Sequence, residues 1–283
     1  MRIFDPHVHM TSRTTDDYEA MAAAGVRAVV EPSFWLGQPR TSPGSFADYF
    51  DALIGWEPFR AGQFGIRHFA TIALNPKEAN DPRCREVLEL VPRYLDKDAV
   101  VAVGEIGYDS MTPQEDEAFA AQLGLAVEYD LPALVHTPHR DKQRGTQRSL
   151  AVVRESGIEP GRVVIDHLNE VTVELVRDSG CWLGFSIYPD TKMSPPRMVE
   201  LLRRYGTERM LVNSAADWGR SDPLLTLRTG EAMLAAGFGE DDVDRVLWRN
   251  PVEFYGASGK LDLSDDEAPA GEFAGNSIKR GGA

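Results

Sequence analysis

The chain has 283 residues, 42% of them hydrophobic and 26% charged, with a formal net charge of −14. That composition suits a globular protein with a large core and argues against a basic surface built for long nucleic acids. No run of about 18 apolar residues occurs, the start MRIFDPHVHM lacks a signal-peptide core, and Cys84 and Cys181 lie far apart with no CxxC spacing. A cytoplasmic protein is therefore expected, without a membrane helix, disulfide framework or cysteine-based zinc site.

Strand-like runs alternate with helix-like runs along most of the chain, the pattern of a parallel sheet with crossover helices. The first strand is predicted over Arg2–His9, then a helix over Thr15–Ala24 that stops at Gly25. Strands two, three and four follow at Arg27–Pro32, Ile66–Leu74 and Val100–Ile106. The helix Pro113–Tyr129 opens with proline and an acidic first turn, as helix starts do. Strand five is Ala133–His136, with a helix near Gln143–Ser156; strand six is Arg162–Asp166, with a helix near Val171–Asp178. Strand seven is Trp182–Ile187 with helix Pro196–Tyr205, and strand eight is Met210–Asn213 with helix Pro223–Ala236. Eight strands with interleaved helices predict an α/β fold, a (β/α)8 TIM barrel in one domain over residues 1–257.

Two segments depart from that rhythm. Phe34–Gly65 is a long, aromatic-rich insertion between the second strand and the helix that follows. It reads as a helix such as Phe46–Phe59 with its core stripe, and as a lid starting on the catalytic side; both hold together. The tail, 258–283, is acidic and then Gly/Ala-rich, and is expected to be flexible.

Four of the six histidines and one glutamate fall where predicted strands end: His7, His9, Glu105, His136 and His167. Strand C-terminal ends are where such barrels build active sites. His7 and His9 are two apart, so on a strand they face the same side roughly 6–7 Å along the chain and can share one ion. Alone, they would equally suit a structural pair. Four imidazoles and a carboxylate exceed what one tetrahedral ion needs. They suit one or two divalent ions (zinc, manganese, iron or magnesium), with His7 and His9 on the first, His136 and His167 on the second, and Glu105 reaching both.

A carboxylate near the end of strand eight would accept a proton from water held by the metal. The chain there reads RMLVNSAADWGRSDP, so Asp217 is the candidate acid and further ligand, several residues past the strand; a turn aspartate is the equal alternative. Asn213 is closer but its amide does not titrate. His139 and Arg140, in TPHRDK, are candidate binders of a substrate anion, or simply a solvated loop.

With those residues in place, the chain resembles the TatD-type metal-dependent hydrolases of the amidohydrolase superfamily. VGEIGYD, Gln114, QLGLAVEYDLPALVH, the HVH of strand one, VIDHLNE and WRNPVEFYG carry the likeness. The resemblance implies a TIM barrel, a one- or two-metal site and hydrolysis, with a phosphodiester as the inherited substrate guess. It implies His7 and His9 as the first metal pair, Glu105 as the bridge, and His136 and His167 as later ligands. Three stretches depart from the family pattern: VNSAAD where the family has ETD, TPHRDK where it has a Ser-Arg-Asp-like stretch, and HLNE in place of HCF-S-G. All lie where substrate is held, which points to a divergent subgroup. The expected function is hydrolysis of a phosphoester or other small polar ester. The alternatives are an amidohydrolase or lactonase acting on C–N or C–O bonds, and a non-catalytic metal-binding protein. The acidic balance disfavours nucleic acid as partner, and no membrane partner is expected.

Overall fold

A computed structural model describes residues 1–37 and 39–264. Among them, eight strands form one parallel sheet in sequence order: β1 (Ile3–Asp5), β2 (Val26–Pro32), β3 (Arg67–Ile72), β4 (Val100–Gly107), β5 (Ala133–His136), β6 (Val163–Ile165), β7 (Trp182–Ser186) and β8 (Met210–Asn213). The sheet curls into the expected (β/α)8 barrel. Strands covered on both faces read as continuous apolar runs, and every residue of β4 is buried.

Two apolar layers hold the barrel. Phe4, Val30, Phe69, Val101, Leu134, Val164, Trp182 and Leu211, one from each strand in turn, form an inner cluster. Trp248, Phe254 and Tyr255 pack against it. The second layer lies between the strands and their helices. Each fully buried large side chain contributes about 1.5–3 kcal/mol.

β1 is shorter than the predicted Arg2–His9. Pro6 has no N–H to give a ladder, and the His7 N–H turns to Asp5 Oδ1 at 3.2 Å. The segment then pairs across the seam of the barrel: Ala215 N donates to His7 O (2.9 Å) and His9 N to Ala216 O (2.8 Å). These bonds bring the ends of β1 and β8 together at the strands' C-terminal rim. Tyr255 OH, from the helix Asn250–Gly256, donates to Pro6 O at 2.8 Å and braces the same turn from below.

The insertion is both core and wall. The helix expected over Phe46–Phe59 is instead Pro43–Asp51, a π-helical turn Ala52–Trp56, and Glu57–Gly62. Phe46, Tyr49, Phe50 and Leu53 are buried. Arg40 grips Glu78 with two bonds of 2.8 Å and lies over the Phe46 and Tyr49 rings. At the start of the insertion Phe34 stacks on the His9 ring, centroids 3.9 Å apart. The helix expected over Val171–Asp178 is a single turn, Val173–Val176.

Residues 258–264, the first part of the expected tail, lie against the barrel. Leu261 and Leu263 pack on the inner cluster, and Lys260 Nζ donates to the carbonyls of Leu95 and Lys97. Residues 265–283 lie outside the described residues. Among those described, no helix is long and apolar enough to cross a membrane.

Candidate metal centre

The five strand-end residues meet. His7, His9, Glu105, His136 and His167 are all buried at the C-terminal rim of the barrel, none more than 7% exposed. Glu105 sits between the two histidine pairs. Its Oε1 is 3.0 Å from His136 Nδ1, 3.1 Å from His167 Nε2 and 3.8 Å from His7 Nε2. His7 Nε2 and His9 Nε2 face each other at 3.0 Å. Asn75 Nδ2 donates to the other Glu105 oxygen at 3.1 Å, fixing the carboxylate plane.

These distances describe overlapping donor sets. His7, His9 and Glu105 form one group whose ligand atoms lie within 4.8 Å of one another, and Glu105, His136 and His167 form another. Nitrogen and carboxylate donors of this kind suit zinc, manganese or iron. The residues therefore fit one or two divalent ions, with Glu105 common to both groups.

The electrostatics agree. Burial opposes charge on Glu105, but the His136, His167 and His7 rings hold its carboxyl well below the usual range. Burial holds His9 and His167 well below the ordinary histidine pKa, leaving them neutral as a metal requires. His7 differs. Burial opposes its protonation, yet Asp166 and Glu105 raise its pKa. A proton taken up by that ring competes with a cation for the same pocket, so metal binding favours its release.

A sixth residue, Asp166, belongs to this group and was not singled out from the sequence. It is 1% exposed, and its Oδ2 lies 2.7 Å from His7 Nδ1. With His7 and His167 it forms a third donor set. Neighbouring residues on a strand face opposite ways, but β6 ends at Ile165 and His167 has φ of 61°. That left-handed turn brings both side chains to the site, and the His167 N–H donates to Asp166 Oδ1 at 2.7 Å.

Asp217, the predicted strand-eight acid and ligand, is placed otherwise. It is half-buried and lies outside the three donor sets. Its Oδ1 accepts from Gly219 N (2.7 Å) and Tyr188 OH (3.2 Å), and Arg13 binds its backbone carbonyl at 2.8 Å. The acceptor–amide spacing of two residues is that of an aspartate turn. Asp217→Asn is accordingly expected to leave bound metal unchanged by elemental analysis; loss of an ion would restore Asp217 as a ligand.

His139 is exposed at the mouth, its ring centroid 6.3 Å from that of His136. Desolvation and the nearby Lys192, Lys142 and Lys77 push its pKa down to about 4, so it is neutral at pH 7. Arg140 is exposed. Two further lysines, not expected from the sequence, also stand near the site. Lys142 Nζ donates to Thr137 Oγ1 (3.0 Å) and Pro138 O (3.4 Å). Lys192 Nζ lies 3.3 Å from His167 Nδ1. The signal for Lys142 was present in TPHRDK; Lys192 comes from the loop after β7 and is brought in only by the fold.

The sequence model of the family described as TatD related DNase matches residues 4–255. An uncharacterized metal-dependent hydrolase of Methanocaldococcus jannaschii is 28% identical over 254 residues, covering 89% of this chain and 99% of that protein. A TatD-like protein from Archaeoglobus fulgidus superposes with a TM-score of 0.74 at 24% identity, over 89% of this chain and 99% of its own. A phosphotriesterase homology protein from Escherichia coli, solved with phosphate in its active site, gives 0.66 at 17% identity, over 90% and 98%. These structural likenesses bear on the fold.

Proposed function

Since this chain belongs to the TatD-related family of metal-dependent hydrolases, we propose that it hydrolyses a small phosphoester with one or two divalent ions at the barrel rim. The observation that carries this reading is Glu105 Oε1, placed between His7 and His9 on one side and His136 and His167 on the other. Bound there, divalent ions supply Lewis acidity at the scissile bond and lower the pKa of water. The chain's own groups supply the rest. His9, His167 and Glu105 provide donors already deprotonated. Phe34 stacks on the His9 ring and covers one of its faces.

Lys142 and Lys192 favour an anionic substrate. Among the described residues neither contacts a carboxylate, although the chain is strongly acidic. Lysines beside a metal centre suit a phosphoryl group, with His139 and Arg140 further out at the mouth. The overall charge of −14 suits a small ester over a long polyanion.

Burial and the neighbouring Lys192 push the Lys142 pKa down to about 8. Its charge is present below that pH and lost above it, so affinity for a phosphoester should fall as pH rises through 8. The metal-loaded enzyme should turn over nitrophenyl phosphate mono- or diesters, and chelation should stop it. Lys142→Met should raise KM about tenfold, the worth of a modest charge-assisted bond, and flatten its pH dependence with kcat little changed. Turnover of lactones or amides with none of any phosphoester would replace this reading with hydrolysis at C–O or C–N bonds. No turnover at all would leave a metal-binding role.

A further inference from the structure

Asp166 and Asn213 form a unit whose geometry addresses one metal-facing ring. The Asp166 carboxylate accepts from the His167 backbone at 2.7 Å and from Asn213 Nδ2 at 3.1 and 3.3 Å, and its Oδ2 lies 2.7 Å from His7 Nδ1. All of these groups are at most 2% exposed. A buried carboxylate with three such partners is held in place, and the ring it faces is held with it. The opposite nitrogen of that ring, His7 Nε2, is the one turned to His9 and Glu105.

We propose that Asp166, braced by Asn213, is the positioning residue for His7: it holds the proton on Nδ1 and so keeps the Nε2 lone pair directed at the metal. The inference rests on the metal-centre reading above. A ligating imidazole needs one nitrogen free, and an acceptor at the other selects that tautomer and raises ligand basicity.

The same contacts account for the amide at the end of β8. A carboxylate at position 213 would stand about 3 Å from that of Asp166 and repel it. The amide instead donates to Asp166 and leaves its charge intact for His7. The acid facing His7 Nδ1 thus comes from the residue after β6, and β8 supplies its brace.

The test is zinc titration of the metal-free full-length protein against a chelating indicator. It compares wild type with Asp166→Asn, Asp166→Ala, His7→Ala and the double variant Asp166→Ala/His7→Ala. Asp166→Ala should loosen, by about 10–100-fold, the ion that His7→Ala also loosens, the usual effect of losing such a partner. Asp166→Asn should loosen it less, because the amide oxygen still accepts from Nδ1–H. Its near-identical shape also separates the effect from misfolding, read as an unchanged melting temperature of the metal-free protein. In the His7→Ala background, Asp166→Ala should cause no further loosening, since the ring it acts through is gone. Wild-type zinc affinity in Asp166→Ala overturns the proposal. So does an equal further loss in the double variant, which would mean Asp166 acts independently of His7. Wild-type protein that takes up no zinc overturns the metal reading itself, and this inference with it.

Discussion

Glu105→Gln is expected to lose metal from both donor groups together, because one oxygen, Oε1, serves both. That oxygen is 3.0 Å from His136, 3.1 Å from His167 and 3.8 Å from His7. Glutamine keeps the size and can still accept from Asn75, whose bond to Glu105 Oε2 is 3.1 Å. It removes the negative charge that a neighbouring cation requires. Loss of a single outer partner of a metal ligand costs about 10–100-fold in affinity or activity; loss of the shared charged ligand should exceed that. Elemental analysis should show metal content falling towards zero, not by half. The rise in melting temperature that zinc gives the wild type should vanish, since stabilisation by a ligand follows its binding. A variant that retains a full complement of metal would show that the histidines suffice and that Glu105 is not the bridge.

The second large effect concerns a position with no side chain. Gly107 ends β4 with φ of 119°, and it pairs with His136 of β5. A Cβ there would stand 2.4 Å from the His136 carbonyl oxygen and 3.2 Å from Val135 Cγ1. The carbonyl cannot yield without moving β5, and the backbone angle itself disfavours any L side chain. Gly107→Ala should therefore destabilise the fold by about 2–5 kcal/mol, summing overpacking and backbone strain. In a barrel of this size that lowers the melting temperature on the order of 10 °C. Moving His136 away from Glu105 should also weaken the ion that His136 and His167 hold. Thermal unfolding and zinc titration check the two effects separately. A melting temperature within a degree of wild type would mean that β4 and β5 slide past each other more freely than this packing allows.

Both effects follow from where strands end, and that part was legible early. The alternation of apolar runs with amphipathic ones located all eight strands. Placing His7, His9, Glu105, His136 and His167 at strand ends required only that strands be short and parallel. The errors fell where a local rule is overridden. The first strand was drawn too long because its pattern continues past Pro6, while the hydrogen bonds there pass to Ala215 and Ala216. The helix in the insertion was drawn unbroken because its apolar stripe is continuous, although a π-helical turn interrupts it.

Asp217 and Asp166 mark the same boundary in the site. Asp217 was singled out because it is the first acid after β8, but its carboxylate is engaged by the turn it sits in and by Tyr188. Strand alternation would turn Asp166 away from its neighbour His167. The left-handed backbone at His167 cancels that alternation, and no residue type at 166 or 167 announces it. Lys192 was passed over for a related reason: a loop lysine carries no periodic signal, and only the path of the chain after β7 sets it beside His167.

The sequence by itself determined the order of strands and helices and the chemical kind of the site, because hydrophobic periodicity and donor identity are local properties. Only the tertiary structure decided which acid faces His7, which lysines stand at the mouth, and that one glutamate oxygen lies between both histidine pairs. Those depend on one positive backbone angle, on the seam between β1 and β8, and on the register of neighbouring strands, all of which are set by contacts between residues far apart in the chain.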